Sequence, residues 1–153
     1  MLLANDENTQ QYIDTKACDA IVIEFIGGEP FLEVDLIDQI MEYFIKRMIE
    51  TDHPWQYNWR MSISSNGVLY FDPKVQAFLK KWMKHLSFNI SIDGNKQLHD
   101  ACRVFPDGSG SYDKAIAGVR HYIDELGGVM GSKMTLAPAN VAYTFDAVKG
   151  LID

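Results

Sequence analysis

The sequence predicts an α/β fold of parallel βα units. Two observations carry that reading. Strand-like and helix-like patterns alternate four times along 153 residues, and each strand is closed by a turn signal. At least two strands are polar on one face, which the buried central strands of a doubly wound sheet are not. A chain of this length fits one domain, 1–153, and can bury a core.

Each element follows from local pattern. Residues 20–26, AIVIEFI, are β-branched and aromatic and stop at Gly27-Gly28. Over 33–50, Val34, Ile37, Met41, Phe44, Ile45 and Met48 make one helix face. Residues 58–64, NWRMSIS, alternate and end near Asn66-Gly67. Asp72-Pro73 opens the next helix, with Asp as N-cap and Pro at the first position. Its apolar face is Val75, Phe78, Leu79 and Trp82. Residues 86–92, LSFNISI, form a third strand that stops at Asp93-Gly94, and a long loop through PDGSGS follows. A helix over about 111–126 has Tyr112, Ile116, Val119 and Ile123 on one face and ends at Gly127-Gly128. A fourth strand, about 132–137, leads into a helix from Asn140 with Val141, Phe145, Val148 and Leu151.

The polar strand faces say more. Asn89, Ser91 and Asp93 oppose Leu86, Phe88, Ile90 and Ile92; Asn58, Arg60, Ser62 and Ser64 oppose Trp59, Met61 and Ile63; Glu24 interrupts the first strand. Helices cover the apolar faces, so the polar faces line a lumen, with Arg60 expected to pair with Glu24. A sheet with one face in water would show the same alternation. Closing such a barrel takes about eight strands. The expectation is therefore a partial, incomplete TIM-like barrel belonging to a larger domain.

Composition excludes other classes. Hydrophobic residues at 47% and charged residues at 23% suit a globular protein. The net charge of −7, without a Lys/Arg cluster, argues against nucleic acid. No secretion signal or membrane-length apolar run is present. Two distant thiols, Cys18 and Cys102, match no metal spacing and suggest a reducing, cytoplasmic setting. His53, His85 and His121 carry no signal; His99 reads as a structural hydrogen-bonder. Trp55, Tyr57 and Trp59 read as core, and KVQAFLKKWMKH as a barrel-covering helix.

The chemistry-bearing signal is Gly27-Gly28-Glu29-Pro30 at the carboxyl end of the first strand, the edge where parallel α/β folds bind ligands. Glycines let backbone carbonyls approach a ligand, Glu29 adds negative charge, and Pro30 stiffens the turn. Taken alone, Arg103 reads as a surface ion pair with Asp100 or Asp107, and Asp93-Gly94 as a turn.

IEFIGGEPFLEVDLIDQI resembles the second strand and helix of radical S-adenosylmethionine enzymes. SISSNG at 62–67 and NISIDGNKQLHDACRVFPDGSGSYDKAI at 89–116 extend the likeness, as does MTLAPANV at 134–141. The second of these resembles the segment of sulfatase- and peptide-maturating enzymes. The likeness spans roughly 20–150, about strands 2–5 of the family's core. It implies that the GGEP motif holds the amino group of S-adenosylmethionine and that Arg103 meets its carboxylate. It implies that Ser91 also contacts the cofactor. Small polar groups, Ser65, Asn66, Ser91 and Asp93, are candidates for the ribose hydroxyls. The family's three clustered cysteines for a [4Fe–4S] cluster, usually C-x3-C-x2-C, are absent, so this chain cannot bind the cluster.

The resemblance thus implies the cofactor-binding part of a peptide or protein maturase, one that forms a 5′-deoxyadenosyl radical when full length. The alternative is a binding or scaffolding module that keeps the fold without the cluster. Exposed strand edges predict a homo-oligomer for the fragment.

Overall fold

The computed structural model describes residues 17–136, 138 and 140–152. Strand β1 (Ile21–Phe25) leads through a single 3₁₀ turn (Pro30–Glu33) into helix α1 (Val34–Glu50). Strand β2 (Trp59–Ser65) is followed by α2 (Pro73–Trp82), and β3 (Leu86–Ser91) by a short α3 (Lys96–Cys102). Helix α4 (Tyr112–Arg120) widens into a π turn at His121–Glu125. Strand β4 (Met130–Lys133) then precedes α5 (Thr144–Ile152). The strands pair in the order β1-β2-β3-β4, all parallel.

Alternation decides the two faces. Met61, Ile63, Phe88 and Ile90 are almost fully buried and pack against Phe31, Ile37, Met41, Val75, Phe78 and Leu79. Fully burying such a side chain is worth about 1.5–3 kcal/mol. Phe31 sits 5.5 Å from Phe88 and Trp59 6.0 Å from Trp82, ring centre to ring centre. Asp72 caps α2 by accepting from the Lys74 N–H at 2.8 Å. Asp38 on α1 accepts from Trp82 Nε1 at 2.6 Å, tying α1 to α2.

The other face is polar, and it is curved. Glu24 is level with Ser62 and Ser87 across the sheet, whereas Lys133 is level with Ser91. On a flat sheet, with strands about 4.8 Å apart and a rise of about 3.3 Å, their Cα atoms would be roughly 19 Å apart. Extended Lys and Glu side chains joined by a hydrogen bond reach only about 14 Å at bond lengths near 1.5 Å. Lys133 Nζ nevertheless lies 3.1 Å from Glu24 Oε1, so the sheet curls toward its polar face. Four strands leave that face open.

Several expectations need correction. Arg60 lies opposite Val22, and Glu24 is paired with Lys133 and, at 3.4 Å, with the Ser62 hydroxyl. Helix α3 occupies part of the expected loop; its N-cap is Asn95, which accepts from the Leu98 N–H, and it buries only His99. On α4 and its π turn Tyr112, Ile116 and Val119 pack half-buried against the core as expected, but Ile123 is exposed and the most deeply buried line is Ala115, Gly118 and Tyr122. Small residues there admit close approach, with Gly118 lying against the Tyr70 ring. Strand β4 pairs at 130–133, earlier than expected, and residue 137 lies outside the described residues. In α5, Ala147 is buried while Val141, just before the helix, and Phe145 and Val148 are exposed; the side chain of Leu151 lies outside the described residues.

Candidate functional site

The carboxyl ends of the four strands form one edge, and two clusters stand side by side along it. The first joins β1 to β2. Gly27 and Gly28 have φ values of 94° and 41°, a region that disfavours side chains, and nothing lies within 4 Å of where a Cβ would stand at either. Bare backbone therefore faces open space. Glu29 caps the following turn by accepting from the Phe31 N–H at 3.1 Å. The same oxygen accepts from the Ser65 hydroxyl at 2.9 Å, and the other from the Asn66 N–H at 2.8 Å. Glu29 thus straps the glycine turn to the end of β2. Ser65 in turn accepts from the Gly67 N–H, and Asn66 Oδ1 from the Val68 N–H. Pro30 is buried at the first position of the turn.

The second cluster joins β3 to β4. Asp93 is almost completely buried and accepts from Arg103 Nε at 2.6 Å, from Arg103 Nη2 at 3.4 Å and from the Thr135 N–H at 2.8 Å. Arg103 Nη2 also meets Thr135 Oγ1 at 3.1 Å. A guanidinium held this way is a fixed cation with part of its fork still outward, since its side chain remains 25% exposed.

Helix α3 braces this arginine. The Asp93 N–H donates to His99 Nδ1 at 3.2 Å, so Nδ1 carries no proton. His99 Nε2 is then the donor to Ser111 Oγ at 3.1 Å, and the Ser111 hydroxyl donates to the Arg103 carbonyl at 3.0 Å. Burial, reinforced by the Arg103 charge, holds His99 below the ordinary histidine pKa and keeps it neutral. Next to it, Asp100 accepts from the Tyr112 N–H at 2.9 Å, and its carboxylate fills the space where a Cβ at Gly110 would stand. The His-Asp pair therefore fastens the start of α4, and the glycine makes room for it.

The structure brings every sequence-predicted site residue to this edge. Gly27, Gly28, Glu29, Pro30, Ser65 and Asn66 stand at the β1–β2 end, and Asp93 and Arg103 at the β3–β4 end. Ser91, the last residue of β3, lies on the polar face between them. Arg103 pairs with Asp93, and neither Asp100 nor Asp107 is its partner. Sequence reasoning missed Thr135 and Lys133, because the displaced β4 hid their register. It also missed the bracing role of Ser111, for which the Ser-Tyr after Gly110 was the available signal. Cys18 and Cys102 are exposed free thiols. Among the described residues no group of three metal-binding side chains comes together, and no helix is long and apolar enough to cross a membrane.

No protein-family model and no curated protein matches the chain. Solved structures do. Over 99% of its length the chain resembles native anSMEcpe with bound AdoMet, at 18% identity and a TM-score of 0.64. Over 88% it resembles native anSMEcpe with bound AdoMet and Kp18Cys peptide, at 20% identity and 0.63, and the same enzyme with Cp18Cys peptide, at 19% and 0.64. anSME is an anaerobic sulfatase-maturating enzyme, a radical S-adenosylmethionine enzyme. The chain spans 35–36% of those chains. The likeness shows a shared α/β fold.

Proposed function

We propose that the chain is the S-adenosylmethionine-binding portion of a radical S-adenosylmethionine enzyme that acts on a peptide or protein. The observation that carries this reading is the pairing, on one strand edge, of an open glycine backbone with an anchored arginine. The methionyl end of the cofactor is a zwitterion beside a sulfonium. Its ammonium needs carbonyl acceptors and a nearby carboxylate, which Gly27, Gly28 and Glu29 offer. Its carboxylate needs a fixed fork, which Arg103 offers. Asn66 and Ser91 lie at the strand ends between, suited to ribose hydroxyls. Ser65 and Asp93 act from behind in this reading, because their polar atoms are already bonded to Glu29, Gly67, Arg103 and Thr135.

The residues present fit the nucleotide and not the cluster: two cysteines cannot supply three thiolates. When bound, S-adenosylmethionine supplies a sulfonium open to one-electron reduction; this chain holds and orients it. A peptide substrate is supported by the peptides in two of the similar structures. The missing thiolates also favour a second reading, a module that keeps the fold for binding alone. Anaerobic reconstitution of the full-length protein with iron and sulfide separates the two. Cluster absorbance with reductive cleavage of S-adenosylmethionine supports the enzyme; the loss of both supports the module.

A further inference from the structure

Below the strand ends, the curled polar face holds groups that the cofactor reading leaves unused. Lys133 is rooted level with Ser91 and ends at Glu24, which is level with Ser62. Its side chain therefore crosses the row that holds Ser64 and Asn89. Ser64 Oγ is buried there with no hydrogen-bond partner, an uncommon state for a hydroxyl and one that a ligand relieves. Further down, Arg60 is exposed with no carboxylate partner among the described residues. Among the described residues the face thus carries two cations, Lys133 and Arg60, against one carboxylate, Glu24, in a chain whose net charge is −7. Such a local inversion of sign, inside a concave and partly dry surface, selects anions.

We propose that this face is a substrate subsite for an acidic peptide segment, with Lys133 and Arg60 receiving its carboxylates and Ser64 donating to it once Lys133 moves. The proposal rests on the cofactor reading for calling the ligand a substrate, and it deepens that reading by giving the substrate a chemistry. Lys133 leaves Glu24 for the incoming carboxylate. Glu24 then accepts from peptide N–H groups, and the Ser64 hydroxyl is uncovered. Glu24 competes with the ligand, so substitutions at the two ends of the bridge act in opposite directions.

Fluorescence anisotropy with labelled 12-residue Gly/Ser peptides carrying four Glu, four Lys or no charge tests this without cofactor. The Glu peptide is expected to bind about tenfold tighter than the uncharged one, as charge-assisted hydrogen bonds predict, and to weaken with salt. Lys133→Met and Arg60→Gln each weaken it, Lys133→Met by about tenfold. Glu24→Gln tightens it by about threefold, the size of a half-exposed ion pair. Lys46→Met, on the outer surface of α1, leaves it unchanged. Circular dichroism melts establish that each variant is folded. Equal binding of the three peptides, preference for the Lys peptide, no effect of Lys133→Met, or weakening by Glu24→Gln would each overturn the proposal. A parallel titration with S-adenosylmethionine alone reports on the cofactor reading, so the two ideas fail separately.

Discussion

His99 shows how one side chain links stability, pH and the site. It joins the Asp93 backbone to Ser111, and through Ser111 to the Arg103 carbonyl. Replacing it with Ala leaves the buried Asp93 N–H unpaired, takes one of the two hydrogen bonds from the Ser111 hydroxyl and opens a cavity, at an expected cost of about 2–4 kcal/mol in chemical denaturation. The pH dependence has a definite sign. His99 and His53 both titrate below the ordinary histidine range because burial disfavours their charged forms. The unfolded chain therefore binds protons first as the pH drops. Stability is full above about 6.5 and falls as the pH goes below it, down through the depressed folded values. His99→Gln should flatten that decline while His53 keeps part of it. A profile identical to wild type between pH 5 and 7 would show that His99 is not held neutral by its surroundings. A second residue-level expectation concerns Asp93. Asp93→Ala should cost about 2–3 kcal/mol, because it strands a partly buried guanidinium, and should weaken S-adenosylmethionine more than Asn66→Ala does.

At the scale of elements, close approaches mark which joints are tight. Gly94 has φ 106°, and a Cβ there would stand 2.7 Å from the Cβ of Ala147 on α5. Gly94→Ala should lower the melting temperature and raise hydrogen exchange in α5 before α1, since the clash falls on that contact. Uniform destabilisation of all helices would contradict this. The same scale explains what the sequence made legible. The polar and apolar alternation in β2 and β3 is long and unbroken, so the two faces could be read directly, and the Asp-Pro pair marked the N-cap of α2. Strand β4 is MGSK, with one apolar residue, and is defined by pairing with β3. Helix α3 buries one histidine and has no apolar stripe to find. On α4 the stripe of Tyr112, Ile116 and Val119 was legible, while the more deeply buried Ala115 and Gly118 were not, because hydrophobic patterning undervalues their small size. At the site, the GGEP turn was visible by residue type, whereas Arg103 was visible only through the family resemblance, since taken alone it reads as a surface ion pair. Their partners were not, because Glu29–Ser65 and Asp93–Thr135 join segments distant in sequence.

At the scale of the whole molecule, the open sheet has consequences. Strand β1 is an edge, and Val22, Ile26, Leu32, Leu36, Ile40 and Tyr43 are exposed along it and on the neighbouring turn and helix. Unpaired strand edges beside apolar surface favour association. Light scattering of the isolated chain should show a concentration-dependent dimer or larger species, reduced by Leu36→Glu; a monomer across the micromolar range would contradict it. The ends of β1 to β4 are proposed to make one nucleotide site. Amide chemical-shift mapping of the isotope-labelled chain with millimolar S-adenosylmethionine tests it most directly, since it detects weak binding and locates it. The account predicts shifts clustered at Gly27, Gly28, Asn66, Ser91 and Arg103, with little change on α1 and α2. Shifts confined to another surface, or none at saturating nucleotide, would contradict it.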